Sequence, residues 1–592
     1  MLAFIGITIL WSTPAKSPGQ TVSVDTSCVA SPFYITPMLD AIGYYVDKNG
    51  NLDGSQVSGQ ITNLLNQVEP GGAKGKVQVG YTLNIPIFSL FTKNQGVWEF
   101  DNNKFQPYLD IIKNTDRPVV VFLYANHFSP LSPLTSELQQ DKNNLMLLND
   151  SSVPQSTYFQ TEVLPFTLSA DEAIPVNKYR TIGMARVLES LKAIDQKDPS
   201  KIVGVTLAGE IHQMFNNLMT APGDFNQRYF TDYSEHSIKD FRQWLHDNFA
   251  SLDELNNQAG THFTTWESVM PPSKNLYDQK GESWEHFDSF ASGNLPIFGW
   301  MYDAQKSFKV TVYLDGAYQG EAEQGYGRLD VSESNPSVLS PNTGYRYNLD
   351  YSKLSAGSHT IEVKATYENG NQALIGKRTI YVNDSKTSPL KKQFVTSSKD
   401  ALPAVSAALD WPTNNLNLNF NPYAAIWQRF REYQVENFLN VVWDQSVATG
   451  FDRQKLFTHQ IAPELNGSWN DALFGTNGNF STSSHYQAGL NLYGGLTKSD
   501  LILKKTRGKR YALPEFNTLM PNNPNWALEA LKFQHDNCAK FVSPYFMTIY
   551  PKDKQRDVLG RGGNYGNFLV APDNPRKGQD LFYKAIASYA QE

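Results

Sequence analysis

Ile202-Val203-Gly204-Val205-Thr206-Leu207-Ala208-Gly209-Glu210 is a nearly unbroken apolar run that ends on a carboxylate. A strand buried on one face alternates polar and apolar residues; one without alternation is covered on both faces, as in a parallel sheet flanked by helices. The same reading applies outward from this stretch to Lys76–Phe88 (KVQVGYTLNIPIF), Pro118–Ala125 (PVVVFLYA), Leu456–Ile461 (LFTHQI), Ala488–Tyr493 (AGLNLY), Tyr511–Leu513 and Phe541–Tyr550. Segments between them carry helical spacing. Ile238, Phe241, Leu245 and Phe249 fall on one stripe, as do Ile426, Phe430, Phe438, Leu439 and Val442. Counting strand–helix units gives about eight, which predicts an α/β chain folded as a (β/α)8 TIM barrel rather than an open doubly wound sheet.

One region breaks the rhythm. From Ile297 to Asp384 the period becomes two, with Phe308, Val310, Val312 and Leu314 facing one way and Lys309, Thr311 and Tyr313 the other, before a tight Asp315-Gly316 turn. Ile361, Val363, Ala365 and Tyr367 repeat the alternation ahead of Asn369-Gly370. This predicts an inserted all-β sandwich. Its Gly299-Trp300-Met301-Tyr302-Asp303, VYLDG and GSHTIEVKA strings resemble the immunoglobulin-like modules of exported bacterial proteins. The expected division is a signal peptide over 1–20, barrel halves over 21–296 and 385–592, and the module over 297–384 between them.

At about 100–200 residues per domain, 592 residues would allow three or four domains in a row. The insertion pattern reduces this to one large barrel and one module. A net charge of −7 without a Lys/Arg block excludes the electrostatic footprint of a nucleic-acid binder. Aromatic residues reach 13%, an excess that suits ring faces offered to sugars. Two cysteines, Cys28 and Cys538, exclude a disulfide-rich scaffold and any CxxC metal or redox motif. Leu2–Trp11, followed by Ser12-Thr13-Pro14-Ala15, fits the apolar and cleavage regions of a signal peptide and is too short to span a bilayer, which predicts export. A buried first strand is the competing reading.

Glycosidic cleavage needs two carboxyl groups, one protonated to assist the leaving group and one ionised to attack. In a barrel they belong at the C-terminal ends of strands. Glu210 follows IVGVTLAG and Glu515 follows RYALP, each a charge where a buried strand ends. Either glutamate alone reads as a helix N-terminal charge; the pair is harder to dismiss.

Tyr233–Val269 (YSEHSIKDFRQWLHDNFASLDELNNQAGTHFTTWESV) resembles family 42 β-galactosidases, with their Tyr-Ser helix, SLDELN and G-T-x-F-x-x-W. Trp427–Leu439 and KLFTHQI resemble that family's next helix and strand. The resemblance implies a clan A retaining glycoside hydrolase acting by double displacement on a galactoside-like or polysaccharide substrate, with Glu210 as acid/base and Glu515 as nucleophile. Clan A enzymes carry Asn before the acid/base, on the sugar 2-hydroxyl; here Gly209 stands there.

Further substrate-binding candidates near strand ends are Asn126, His127, His212, His459, Tyr493, Asn517 and Tyr545, with Asn491 beside them. Trp266, Trp469 and Trp526 are candidates for stacking on pyranose faces. The histidines form no HExxH-type spacing, and no P-loop, GxSxG or dinucleotide fingerprint occurs, so neither metal nor cofactor is expected. Long polar segments over Ser129–Asn177 and Asn466–Ser484 are expected to shape a cleft or to be solvated loop. Two alternatives stay open: a catalytically silent carbohydrate-binding protein on the same barrel, and a transglycosidase with the same residues.

Overall fold

The computed structural model describes residues 32–46, 51–127, 132–155, 157–158, 161–213, 230–274, 281–383, 406–412, 416–465, 471–476, 485–495, 501–559 and 565–592. The apolar runs fold as strands, preceded by a short one that the sequence did not announce. They are β1 Phe33–Ile35, β2 Val77–Val79 continued by Tyr81–Pro86, β3 Val119–Tyr124, β4 Ile202–Thr206, β5 Leu456–Phe457 continued by Gln460–Ile461, β6 Leu490–Tyr493, β7 Tyr511–Asn517 and β8 Ala539–Pro544. Each pairs in parallel with the next in the chain. β8 pairs with β1, Tyr34 opposite Phe541, so the hydrogen bonding closes on itself.

Helices lie between and after these strands, two of them between β4 and β5: α1 Gly54–Val68, α2 Asn102–Asn114, α3 Pro175–Asp195, α4 Glu235–Asn248, α5 Pro422–Ala448, α6 Leu501–Thr506, α7 Trp526–Asp536 and α8 Gln579–Tyr589. The fold is α/β. α1 begins where Asp53 accepts from the Gln56 N–H and buries Val57, Ile61, Leu65 and Val68 on one stripe. In α4 the cap is Ser234, which accepts from the Ser237 N–H, and Phe241 and Leu245 point inward.

Inside the strand ring, Tyr34, Val120, Val203, Phe457, Ala512 and Phe541 pack as one apolar layer. A Cβ on Gly204 would come within 2.5 Å of the Phe541 ring, so glycine lets that ring cross the interior. The Ser543 hydroxyl lies 3.0 Å from that of Thr36 and 2.9 Å from that of Thr82, a polar layer whose groups satisfy one another.

Between α4 and α5 the chain forms two antiparallel sheets. One orders Glu323–Tyr326, Gly344–Asp350, Asn294–Tyr302 and Ser406–Trp411; the other orders Ala317–Glu321, Phe308–Leu314, Gly357–Tyr367 and Gln372–Val382, with Leu416–Leu418 added in parallel. Asp315 and Gly316 take left-handed φ of 50° and 82°, as a two-residue hairpin turn requires. These strands run from Asn294 to Leu418, past the 297–384 expected. Ser406–Trp411 returns to pair with Asn294–Tyr302 after a segment whose polarity hid the continuation.

The described part of Ser129–Asn177 is not solvated loop. Leu134, Leu138, Leu145, Met146, Leu164, Phe166 and Leu168 join the main core. The proposed signal segment, Trp469, Cys28 and most of Asn466–Ser484 lie outside the described residues. Cys538 is disulfide-bonded. No helix among the described residues is long and apolar enough to cross a membrane.

Candidate active site

The C-terminal ends of β4, β5, β6 and β7 bring two carboxylates together. After β4, Ala208 and Gly209 both take left-handed φ, 61° and 102°, which turns the chain so that Glu210 re-enters the mouth of the ring. A side chain at Gly209 would be strained in that conformation, which is the physical reason for glycine there. Gln460, fully buried in β5, braces the turn on both sides of Glu210: its Nε2 donates to the Gly209 carbonyl at 3.1 Å, and its Oε1 accepts from the Ile211 N–H at 3.1 Å.

The Glu210 carboxyl accepts from Asn491 Nδ2 at 2.6 Å, and His212 Nε2 lies 4.0 Å from its other oxygen. Burial, aided by the charge of Glu515, pushes it up to about 8, against the pull of the Asn491 hydrogen bond. Burial therefore favours the protonated form of this carboxyl. Glu515 is inside β7. The Tyr493 hydroxyl donates to its Oε2, and His459 Nε2 lies 3.2 Å from Oε1. The His459 ring stacks on Phe122, centroids 4.0 Å apart, and its Nδ1 lies 3.2 Å from the Thr206 hydroxyl. With Thr206 donating to Nδ1, Nε2 carries the proton toward Glu515.

The other candidates divide. Tyr545 lies at the mouth, its ring 6.3 Å from that of Tyr493 and 5.9 Å from that of Phe568. Asn126 reaches the main chain of Glu210 rather than its carboxylate, donating to the carbonyl at 3.4 Å while its own oxygen accepts from Arg180. His127 is buried, with its ring nitrogens 3.0 Å from the carbonyls of Leu164 and His212, so it ties the β3 and β4 loops together.

Three candidates are corrected. Asn517 is fully buried and donates to the Tyr545 carbonyl while accepting from Gln579, which makes it a brace between β7 and β8. Trp526 is buried at the start of α7, its indole N–H donating to the Gly494 carbonyl at 2.7 Å, and it has no free face for a sugar. Trp266 packs on His246 of α4, centroids 4.1 Å apart, among the helices beside the antiparallel sheets.

Thr206 and Gln460 brace the site and Asp40 lies after β1 at the same end of the ring; none of the three stands out in the sequence. Asp40 follows β1 and accepts from the Tyr565 hydroxyl; burial holds its carboxyl above the usual value. Because β1 was unrecognised, Asp40 had no strand end to mark it. At the opposite, N-terminal end of β5–β7 a cavity of about 360 Å³ is lined by Trp443, Arg453, His485 and Arg510 among others, with no acidic residue in its lining. No group of three or more metal-ligating side chains occurs among the described residues.

Residues 224–298 match the model of the glycoside hydrolase family 42 domain, described as Beta-galactosidase. The chain resembles the family 42 β-galactosidases. The matched segment holds α4 and the start of the first antiparallel strand, and neither Glu210 nor Glu515. Among solved structures, the catalytic domain of β-amylase from Paenibacillus polymyxa aligns at 11% identity and TM-score 0.46, covering 95% of this chain and 100% of that one. β-Galactosidase from Bacillus circulans sp. alkalophilus aligns at 10% and 0.40, covering 87% and 50%. β-Galactosidase from the psychrophilic Marinomonas ef1 aligns at 11% and 0.41, covering 94% and 59%. The chain thus spans about half to three-fifths of the length of these two galactosidases. No curated protein gave a match.

Proposed function

We propose that the protein is a retaining glycoside hydrolase built on a (β/α)8 barrel with an inserted immunoglobulin-like sandwich, and that it cleaves β-glycosidic bonds by double displacement. The observation that carries this reading is the asymmetry of the two carboxyl groups at one end of the ring. Burial favours the protonated form of Glu210, whereas Glu515 is met by two donors, the phenol of Tyr493 and the imidazole of His459. Two carboxyls with opposed environments are what acid assistance and nucleophilic attack require.

In this mechanism Glu515 attacks the anomeric carbon while Glu210 gives its proton to the departing oxygen. The resulting glycosyl ester is then hydrolysed by a water that Glu210, now ionised, deprotonates. Tyr493 and His459 hold the Glu515 carboxylate in line, and release it as its charge passes into the ester. The Tyr124, Tyr545, Tyr565 and Phe568 rings near the mouth suit contact with sugar faces.

Glu210→Gln and Glu515→Gln should each lower kcat by about 10²–10⁴ on an aryl β-glycoside while the protein still folds and melts cooperatively. Near-wild-type turnover in either variant overturns the assignment. Labelling with a fluorosugar separates the enzyme from a silent binder. A mass shift on the Glu515 peptide supports hydrolysis or transglycosylation, and binding without label or turnover supports the binder.

A further inference from the structure

Asn491 has one half of its amide in use and the other half idle. It is 6% exposed; Nδ2 donates to Glu210 at 2.6 Å, yet Oδ1 is buried with no hydrogen-bond partner among the described residues. The Glu210 oxygen that meets Nδ2 is the accepting one, so the amide turns its NH2 toward that carboxyl and its carbonyl away. A buried carbonyl left unpaired is costly, and such groups in a native structure are usually partnered. A missing partner beside a reacting carboxyl points to a ligand.

The position narrows which ligand atom it is. Residues two apart on a strand share a face, so Asn491 and Tyr493 of β6 point the same way. Asn491 touches Glu210 and Tyr493 touches Glu515, so Asn491 lies beside the point where the two carboxyls converge on an anomeric carbon. In a pyranoside the hydroxyl nearest that carbon is the one on its neighbour, C2. Gly209, next to the acid/base candidate, has no side chain to take it.

We propose that Asn491 Oδ1 accepts a hydrogen bond from the substrate's 2-hydroxyl, making Asn491 a specificity-determining residue for sugars that keep that hydroxyl free. This rests on the glycosidase reading above. Two roles separate in experiment. The Nδ2 contact acts on Glu210 whatever the sugar; the Oδ1 contact matters only when a 2-hydroxyl is present.

The test compares an aryl β-glycoside with its 2-deoxy analogue in wild type, Asn491→Ala and Asn491→Asp, each over a pH series. Asn491→Ala should lose about 10- to 100-fold in kcat/KM on the parent sugar and no more than about threefold on the 2-deoxy sugar. Asn491→Asp, the same shape with an acceptor retained, should keep the parent's preference over the 2-deoxy sugar while its pH profile moves. An equal loss on both sugars in Asn491→Ala, or a preference abolished in Asn491→Asp, overturns the inference while leaving the glycosidase reading standing. Absence of wild-type turnover on both sugars overturns the reading and the inference together.

Discussion

Glu210 links activity and stability through one proton. Its carboxyl is raised from 4.5 to about 8, so below that pH it can act as an acid, and kcat/KM should fall as pH climbs through about 8. The same shift has a stability cost. Between pH 4.5 and 8 the folded chain keeps a proton that the unfolded chain has released, so this group's contribution to stability declines as pH rises across that window. Glu210→Gln removes the dependence. Its gain in melting temperature over wild type should therefore be larger at pH 8 than at pH 5, and equal gains at the two pH values would contradict the burial argument. Glu210 and Glu515 were legible in the sequence because a charge at the end of an apolar strand stands out. Asn517 was misjudged for a physical reason: β7 changes register between Leu513 and Phe516, so position along the strand no longer tells which way a side chain points. Asn491 was visible only as one of several polar residues near a strand end, since an unpartnered carbonyl leaves no trace in sequence.

The joint between β4 and β5 is the element on which the acid candidate depends. Its turn has left-handed φ at Ala208 and Gly209, and Gln460 spans it with two hydrogen bonds. Removing that amide in Gln460→Ala leaves a buried N–H and a buried carbonyl unpaired, at a cost of about 2–4 kcal/mol. It also lets Glu210 shift, and a displacement of about 1 Å can cost on the order of 10²-fold in rate. The expected outcome is a lower urea midpoint together with a fall in kcat that exceeds any change in KM; unchanged kcat would show that the turn holds itself. Sequence reading found the long strands around this joint, because unbroken apolar runs are distinctive. It missed β1, whose three residues Phe33–Ile35 are too few to show a period. It also took Ser129–Asn177 for cleft or solvated loop, because Leu134, Met146 and Phe166 are scattered among prolines and polar residues and form an apolar group only once folded.

At the scale of the molecule, the antiparallel sheets are not a detachable attachment. Their core is continuous with the helices beside them: Ile297, Val310 and Val363 of the sheets belong to one cluster with Phe241 and Leu245 of α4 and Trp427 and Phe430 of α5. Alternation in the sequence marked where the sheets begin but carried no information about what their inner faces meet. Between the two strands Glu323–Tyr326 and Gly344–Asp350, the chain also reaches loops at the candidate site's end of the ring. Gly327 N–H donates to the Leu465 carbonyl at 3.1 Å, Asn523 Nδ2 donates to the Leu339 carbonyl at 3.1 Å, and Lys577 pairs with Glu333 at 2.6 Å. These residues follow β5, β7 and β8, so the inserted segment supports the wall of the site as well as its own core. Replacing 297–384 by a short linker would strip Leu409, Trp411, Leu416 and Leu418 of the strands they pair with, although each is at least 95% buried. At about 1.5–3 kcal/mol for each exposed side chain, the loss rivals the 5–15 kcal/mol that holds a typical domain folded. The deleted chain should therefore show no cooperative thermal transition and no turnover. A deletion variant that melts cooperatively and still cleaves an aryl glycoside would mean that the ring of strands stands without the sheets.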